Sequence, residues 1–438
     1  MKKVITYGTF DLLHYGHINL LKRAKSLGDY LIVGVTSPLY DMQRGKVNLQ
    51  QSLVERIKAL EMTGLIDEII VEEYEGQKID DIQKYNVDIF VIGSDWKGHF
   101  DYLSEYCKVI YLDRTIGISS TDIRSNQIKV KLGIYTDSNF VEKIINEINI
   151  VNGMEVINIY FDNTFEEIST ELKPLISNKE DNLIKNCDVI YVYMRPEKRY
   201  KTIKKILSNK KHVITESPFS LLENECIELF QIAKKNNVIL FDCLKTAYSF
   251  AFRRLVSIAK SGIIGEIKYI SANCSTLEPK TDWLLSSKNG GGMYAWGAYV
   301  SLVVFFLLGK KVKNLIFEKT KSKEINIDDV VKIDFVYDNA IASGMIAVGV
   351  KTESDLVIAG SKGYIYVPSP WWKTEFFEIR YEDSKNNRKC YYQLYGEGIK
   401  EAFIFFMNVL KYKTHNYLIP IDATKFIAFI FENYTKNT

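Results

Sequence analysis

The sequence predicts an α/β protein built as three domains. A doubly wound parallel sheet covers about residues 1–130, a second one covers 131–245, and an α+β domain with a large open mixed sheet covers 246–438. Three observations predict this. Short apolar runs rich in β-branched residues alternate with segments of helical spacing through the first 245 residues, and such repetition with short connections makes a parallel sheet covered on both faces. Beyond Lys245 the strand-like runs lengthen and alternate apolar with polar, the mark of strands with one wet face. The chain has 438 residues, 47% hydrophobic and 25% charged, which is long enough for several cores and too apolar for disorder.

Each element has its own warrant. Val4–Tyr7, Leu31–Val35, Ile69–Val71, Ile89–Ile92 and Val109–Leu112 read as strands, separated by helices over His17–Leu27, Ser52–Leu60 and Ile79–Tyr85. The second series runs from strand Leu132–Tyr135 through a helix at 139–148, then strands Val156–Tyr160 and Val189–Tyr193. It continues with helix Arg199–Leu207, strand Val213–Thr215, helix Glu223–Lys235 and strand Val238–Phe241. The third part opens with helix Phe252–Lys260 and a Gly262/Gly265 turn. Strands at Ile267–Cys274, Val330–Tyr337, Ala340–Val350, Ser354–Ile358 and Gly363–Val367 follow, and helices Glu401–Leu410 and Ala423–Asn433 close it. The apolar run Gly297–Gly309 is a buried helix, because a bilayer span needs about 20 such residues.

Composition narrows the function. Lys+Arg 57 against Asp+Glu 54 leaves +3, so no strong field points at nucleic acid or an anionic membrane. Cys107, Cys187, Cys226, Cys243, Cys274 and Cys390 are scattered with no C-x-x-C pair, which fits reduced core thiols and a cytoplasmic protein. The first residues run straight into a strand and meet Asp11, a pattern unlike a signal peptide.

The chemistry concentrates at Gly8-Thr9-Phe10-Asp11-Leu12-Leu13-His14-Tyr15-Gly16-His17, between the first strand and the first helix. Of five histidines, two lie in this one His-x-Gly-His. A helix N-terminus attracts phosphate through its N–H groups and dipole, and two imidazoles there donate to charge developing on a transferred phosphoryl group. Later, Arg114-Thr115-Ile116-Gly117-Ile118-Ser119-Ser120-Thr121 places hydroxyls and N–H groups before a helix beginning near Asp122.

These two motifs resemble those of the glycerol-3-phosphate cytidylyltransferases, in the His-x-Gly-His nucleotidyltransferase superfamily, in register over residues 1–130. The resemblance implies a Rossmann-like domain that transfers CMP from CTP to a phosphorylated polyol and releases pyrophosphate. It further implies Mg²⁺ accompanying CTP, a homodimer or higher oligomer, and products destined for cell-surface polymers such as teichoic acids. Carried across, His14, His17, Lys46 and Arg114 are the catalytic set. Thr9, Phe10, Tyr15, Gly16, Asp95 and the whole Arg114–Thr121 segment contact CTP as well. Arg44 and Lys78 are placed on the acceptor phosphate. Arg44 stands where the family has lysine, and Gly93-Ser94-Asp95-Trp96 has one acid fewer than the family's Gly-Asp-Asp-Trp. A guanidinium grips phosphate differently from an ammonium, so acceptor identity stays open among glycerol 3-phosphate and related polyol phosphates.

Residues 131–438 resemble the glucose–fructose oxidoreductase/inositol dehydrogenase (Gfo/Idh/MocA) family. The markers are Lys211–Pro218, Ser261–Ile267, Gly290–Gly297 and the closing helices. The resemblance implies an NAD(P)-binding Rossmann domain and a substrate domain, but the chemical residues depart from the pattern. The dinucleotide turn, Tyr135 to Phe140, has no glycine, and Asp137 stands in it. A carboxylate about 4 Å from a phosphate at an effective dielectric near 20 costs up to roughly 4 kcal/mol, against about 8 kcal/mol for micromolar affinity. Asp162 keeps the ribose-binding acid. Ser217 replaces the family lysine, while Ala295 and Tyr299 replace its aspartate and histidine. The leading expectation is a cytidylyltransferase with a non-redox accessory region. Two alternatives are a bifunctional enzyme that also reduces a keto-sugar phosphate with NAD(P)H, and a non-catalytic CTP-binding scaffold.

Overall fold

The computed structural model describes residues 1–43, 49, 51–74, 76–113, 129–138, 140–151, 153–162, 169–277, 285, 290–322, 327–392, 396–412 and 417–436. Two compact units emerge, Met1–Ile128 and Lys129–Thr438.

In the first unit β1 (Lys3–Gly8), α1 (Tyr15–Lys25), β2 (Tyr30–Thr36), α2 (Pro38–Gln43), α3 (Leu53–Glu61), β3 (Glu68–Glu72), α4 (Gln77–Tyr85), β4 (Ile89–Gly93) and β5 (Lys108–Leu112) follow in order. The sheet runs β3-β2-β1-β4-β5, every pairing parallel. β1 shows why a continuous apolar run forms a central strand. Val4 packs with Leu21, Ala24 and Leu60 from α1 and α3, while Ile5 and Tyr7 pack with Ile82, Phe90 and Phe100 on the other face. Ser52 and Glu55 close a reciprocal capping box that starts α3.

The second unit contains two sheets. β6 (Val130–Thr136), β7 (Met154–Phe161), β8 (Val189–Tyr193), β9 (His212–Thr215) and β10 (Leu240–Asp242) form a parallel sheet in the order β10-β9-β8-β6-β7. The other has eight strands: β11 (Ile267–Thr276), β12 (Asn314–Lys321), β13 (Asp328–Val336), β14 (Ile341–Val348), β15 (Leu356–Gly360), β16 (Tyr364–Val367), β17 (Phe376–Arg380) and β18 (Arg388–Tyr391). Their order is β12-β13-β14-β11-β15-β16-β17-β18, with β11 and β14 parallel and the other pairs antiparallel.

The long apolar run lies in helix Gly292–Leu308, buried along most of its length against β11, β13 and β14. Two later helices return to the parallel sheet, which is why both sheets fall in one compact unit. Helix Ile421–Lys436 packs on Gly292–Leu308 and on Glu223–Lys235. Helix Ile399–Tyr412 packs on Val141–Ile148, where the buried Glu147 carboxylate accepts the N–H groups of Ile399 at 2.7 Å and Lys400 at 3.1 Å, and that of Glu397. The six cysteines are unpaired thiols, four of them buried. Among the described residues no helix is long and apolar enough to cross a membrane.

Candidate active site

The chain leaves β1 at Gly8 and turns sharply before α1. Phe10 and Leu12 hold φ of 53° and 51°, a left-handed conformation that costs a side-chain-bearing residue roughly 1–2 kcal/mol. Phe10 is only 2% exposed and meets the His17 ring edge-on, with centroids 5.5 Å apart. Asp11, also buried, accepts the Gln51 N–H at 3.0 Å, and Leu12 N–H donates to Gln51 Oε1 at 2.7 Å, pinning the turn.

His14 is the N-cap of α1. Its φ of −129° is extended, and its Nδ1 accepts the Gly16 N–H at 3.1 Å. A neutral imidazole accepting at Nδ1 carries its proton at Nε2. His17, three residues on and so on the same helix face, stacks on His14 with ring centroids 3.8 Å apart and planes at 21°. Tyr15 between them is 61% exposed. The first turn of α1 holds no acid and the last turn holds Lys22, Arg23 and Lys25, an arrangement that leaves the positive dipole end unquenched.

Behind the turn lies a buried clamp. Arg56 of α3 and Asp41 of α2 form an ion pair at 3.2 Å with both side chains fully buried. Arg56 donates to the carbonyls of Thr9 at 2.7 Å and Thr36 at 3.0 Å, and Thr9 Oγ1 donates to Asp41 at 2.8 Å. Burial pulls the guanidinium below its ordinary range, with Asp41 and then Asp11 opposing that shift. The clamp ties the carboxyl ends of β1 and β2 together under the histidines. Sequence reasoning passed over Arg56, yet a signal exists: Leu53, Arg56, Ile57 and Leu60 share one helix face, and only one of the four is charged.

Two further expected residues occupy different surroundings. Asp95 is exposed in the 3-10 turn Ser94–Trp96 directly after β4, the neighbour of β1, so it emerges at the same sheet edge as the turn. Lys78 in α4 lies under the opposite sheet face, 5% exposed and ion-paired to Glu72. Its Nζ sits 4.8 Å from the Tyr7 ring centroid and 5.3 Å from that of Phe100. Burial and then Asp81, whose carboxylate accepts the Tyr7 hydroxyl at 2.9 Å, push the Tyr7 phenol far above its usual range. Arg44, Lys46 and Arg114 through Thr121 lie outside the described residues.

In the second unit, Ser217 donates to the buried Asp242, which also accepts from Thr424 Oγ1 at 2.9 Å, so it is bound into the packing. Ala295 and Tyr299 lie on helix Gly292–Leu308. Burial, with the nearby Glu216 charge, pushes the Tyr299 phenol well above its ordinary range, so it holds its proton at neutral pH.

Three known families match successive parts of the chain. Residues 5–126 match the cytidylyltransferase-like family, 142–242 the oxidoreductase family with NAD-binding Rossmann fold, and 252–366 the GFO/IDH/MocA C-terminal domain. The glycerol-3-phosphate cytidylyltransferase of Bacillus spizizenii is 57% identical over 126 residues, which is 29% of this chain and 97% of that protein. Its counterpart in Staphylococcus aureus is 50% identical over 124 residues, 28% of this chain and 93% of that one. Among solved structures, a 3-ketoreductase from Actinomadura kijaniata complexed with NADP and TDP-benzene aligns with a TM-score of 0.61 at 14% identity, covering 69% of this chain and 96% of that one. The aldose–aldose oxidoreductase of Caulobacter crescentus aligns with a TM-score of 0.61, also at 14% identity, over 70% and 97%. At that identity the structural likeness speaks for fold alone. The chain belongs through its first unit to the glycerol-3-phosphate cytidylyltransferase family, and fuses that domain to NAD-binding-type and C-terminal domains of the GFO/IDH/MocA oxidoreductases.

Proposed function

We propose that residues 1–130 transfer CMP from CTP to glycerol 3-phosphate or a related polyol phosphate, giving a CDP-polyol and pyrophosphate. The observation that carries this reading is the stacked His14–His17 pair at the start of α1, with His14 Nδ1 fixed by the Gly16 N–H. The names of the relatives that match the whole domain support the substrate class.

An acceptor phosphate oxygen attacks the α-phosphorus of CTP in line. The new P–O bond forms as the bond to the bridging oxygen breaks, and the electron pair departs with pyrophosphate. A phosphate oxyanion is already nucleophilic at pH 7, so no general base is required. His14 Nε2–H and His17, with the first-turn N–H groups of α1, donate to the charge that builds on the phosphoryl oxygens. Lys46 and Arg114 join them. Thr9, Phe10, Tyr15, Gly16, Asp95 and Thr115 through Thr121 position CTP, and Arg44 and Lys78 the acceptor. At Lys78 the acceptor competes with Glu72. Mg²⁺ accompanying CTP would supply Lewis-acid stabilisation of the phosphate charge, and Asp95, an exposed carboxylate at the edge where β4 ends, offers the type of oxygen ligand it would take.

The same reading takes domain limits of 1–130, 131–245 and 246–438, a cytoplasmic homodimer or higher oligomer, and a product used for cell-surface polymers of the teichoic-acid type. Pyrophosphate release from Mg-CTP, across polyol phosphates beginning with sn-glycerol 3-phosphate, tests it. Turnover is expected, with His14→Ala lowering kcat about 10²–10³-fold and the melting temperature by only the few degrees that a lost N-cap costs. No release with any acceptor refutes the reading.

A further inference from the structure

We infer that the dinucleotide crevice of the second unit is latched shut by the unit's own side chains, so that its folded state neither uses nor admits a nicotinamide dinucleotide. In a sheet of this kind the pyrophosphate lies on the turn after the first strand, against unspent N–H groups and glycines that let it approach. Four features of this chain stand in that place.

Two N–H donors of the turn after β6 are used within the turn itself. Ser138 N–H donates to Thr136 Oγ1 at 3.0 Å and Phe140 N–H donates to Ser138 Oγ at 3.2 Å. Asp137 fills the position of the close-approach glycine, and its side chain is 1% exposed. It accepts from Arg195 twice, from Nε at 2.9 Å and from the backbone N–H at 3.3 Å. Phe140 stands where the last glycine of the turn belongs. Its ring packs on Tyr193 at the end of β8, with centroids 5.7 Å apart and planes at 31°. That contact bridges β6 and β8, the neighbours between which the strand order reverses. The fourth feature is Asp162, just past β7, where the ribose hydroxyls would bond. It is ion-paired to Lys198 and accepts from the Tyr135 hydroxyl at 3.5 Å.

Both cations come from the start of helix Pro196–Ser208. Arg195–Asp137 and Lys198–Asp162 therefore clip the loop after β8 onto the ends of β6 and β7. A dinucleotide would have to break both pairs, displace the Phe140 ring and set its pyrophosphate beside a carboxylate. The donor set does not fit the cofactor that the fold implies, and no redox step is assigned to this unit.

The test uses the full chain and does not depend on the cytidylyltransferase reading. NADH and NADPH are titrated separately to about 1 mM, followed by nicotinamide fluorescence and by melting temperature, where a ligand at a hundredfold its Kd gives a shift of several degrees. The expected result is no saturable binding and no shift with either. Arg195→Ala, which leaves Asp137 buried without that partner, is expected to lower the melting temperature by about 5 °C. Saturable binding of either dinucleotide with Kd below about 100 μM overturns the inference. So does an Arg195→Ala variant that melts at the parent temperature.

Discussion

Arg56→Ala probes the clamp beneath the histidines. The substitution removes donors to Thr9 O at 2.7 Å and Thr36 O at 3.0 Å, and takes its Arg56 partner from an Asp41 carboxylate that is itself fully buried. Removing one member of a buried pair costs about 3–5 kcal/mol, most of it from the charge left behind. For a unit near 128 residues that corresponds to a melting temperature lower by about 10–15 °C. Calorimetry on the full chain reads it in the transition of the first unit, which under the proposed function is the one that CTP raises, since a ligand stabilises the unit that binds it. Activity should fall too, because the Thr9–Leu12 turn that sets His14 and His17 loses its support, and a displacement near 1 Å costs about 10²-fold in rate. The double variant Arg56→Ala/Asp41→Ala should cost less than the sum of the singles, the signature of a shared interaction. A loss below about 1 kcal/mol in Arg56→Ala refutes the clamp as a stabilising pair. Lost stability with unchanged kcat refutes its role in positioning the histidines.

Two further outcomes follow from the second unit. Glu397 accepts from Lys373 at 2.6 Å and Lys245 at 3.1 Å; burial alone would raise its carboxyl, but the two lysines outweigh that and hold it at about 2 against an ordinary 4.5. A depressed folded-state value contributes stability that is complete above 4.5 and lost as pH falls towards 2. Glu397→Gln should therefore cost up to about 3 kcal/mol at pH 7 in urea unfolding, and the gap to the parent should close between those two values; a gap independent of pH removes the ion pairs as its cause. Gly133→Ala on β6 would bring a Cβ within 2.7 Å of Cys187 Sγ and Leu183 Cδ1. A loss of about 1–3 kcal/mol from overpacking is expected, checked by the same urea midpoint.

Most central strands were legible because burial on both faces demands unbroken β-branched runs. Val4–Tyr7 lies inside β1 as observed, and helix Glu223–Lys235 lies where its spacing predicts one. The edges were harder to read. β12, with alternating half-buried and exposed residues such as Glu318 and Thr320, carries charge on a wet face and is not among the strands expected from the sequence. β17 and β18 are short and broken by Glu378, Arg388 and Lys389. α2 opens on Pro38 and lasts 6 residues, too few to show a period. The His-x-Gly-His placement was readable because both its strand and its helix are local. Arg56 with Asp41, and Asp137 with Arg195 some 58 residues later, are tertiary pairings that local spacing does not encode. Asp137 was expected as a source of repulsion towards phosphate, and its structural partner is a cation.

The reach of Glu147 sets a timetable for synthesis. Its carboxylate waits for the N–H of Lys400, 253 residues further along, which at roughly 5–20 residues per second takes about 13–50 s on the ribosome. Every strand of the first sheet has emerged by Leu112, so the first unit can complete its core while the parallel sheet of the second still lacks the helices that cover it. Through that interval Val141–Ile148, and Glu223–Lys235 once it is made, present apolar faces to solvent. Chaperone demand and aggregation during expression should therefore fall on the second unit, even where the nascent first unit is already folded.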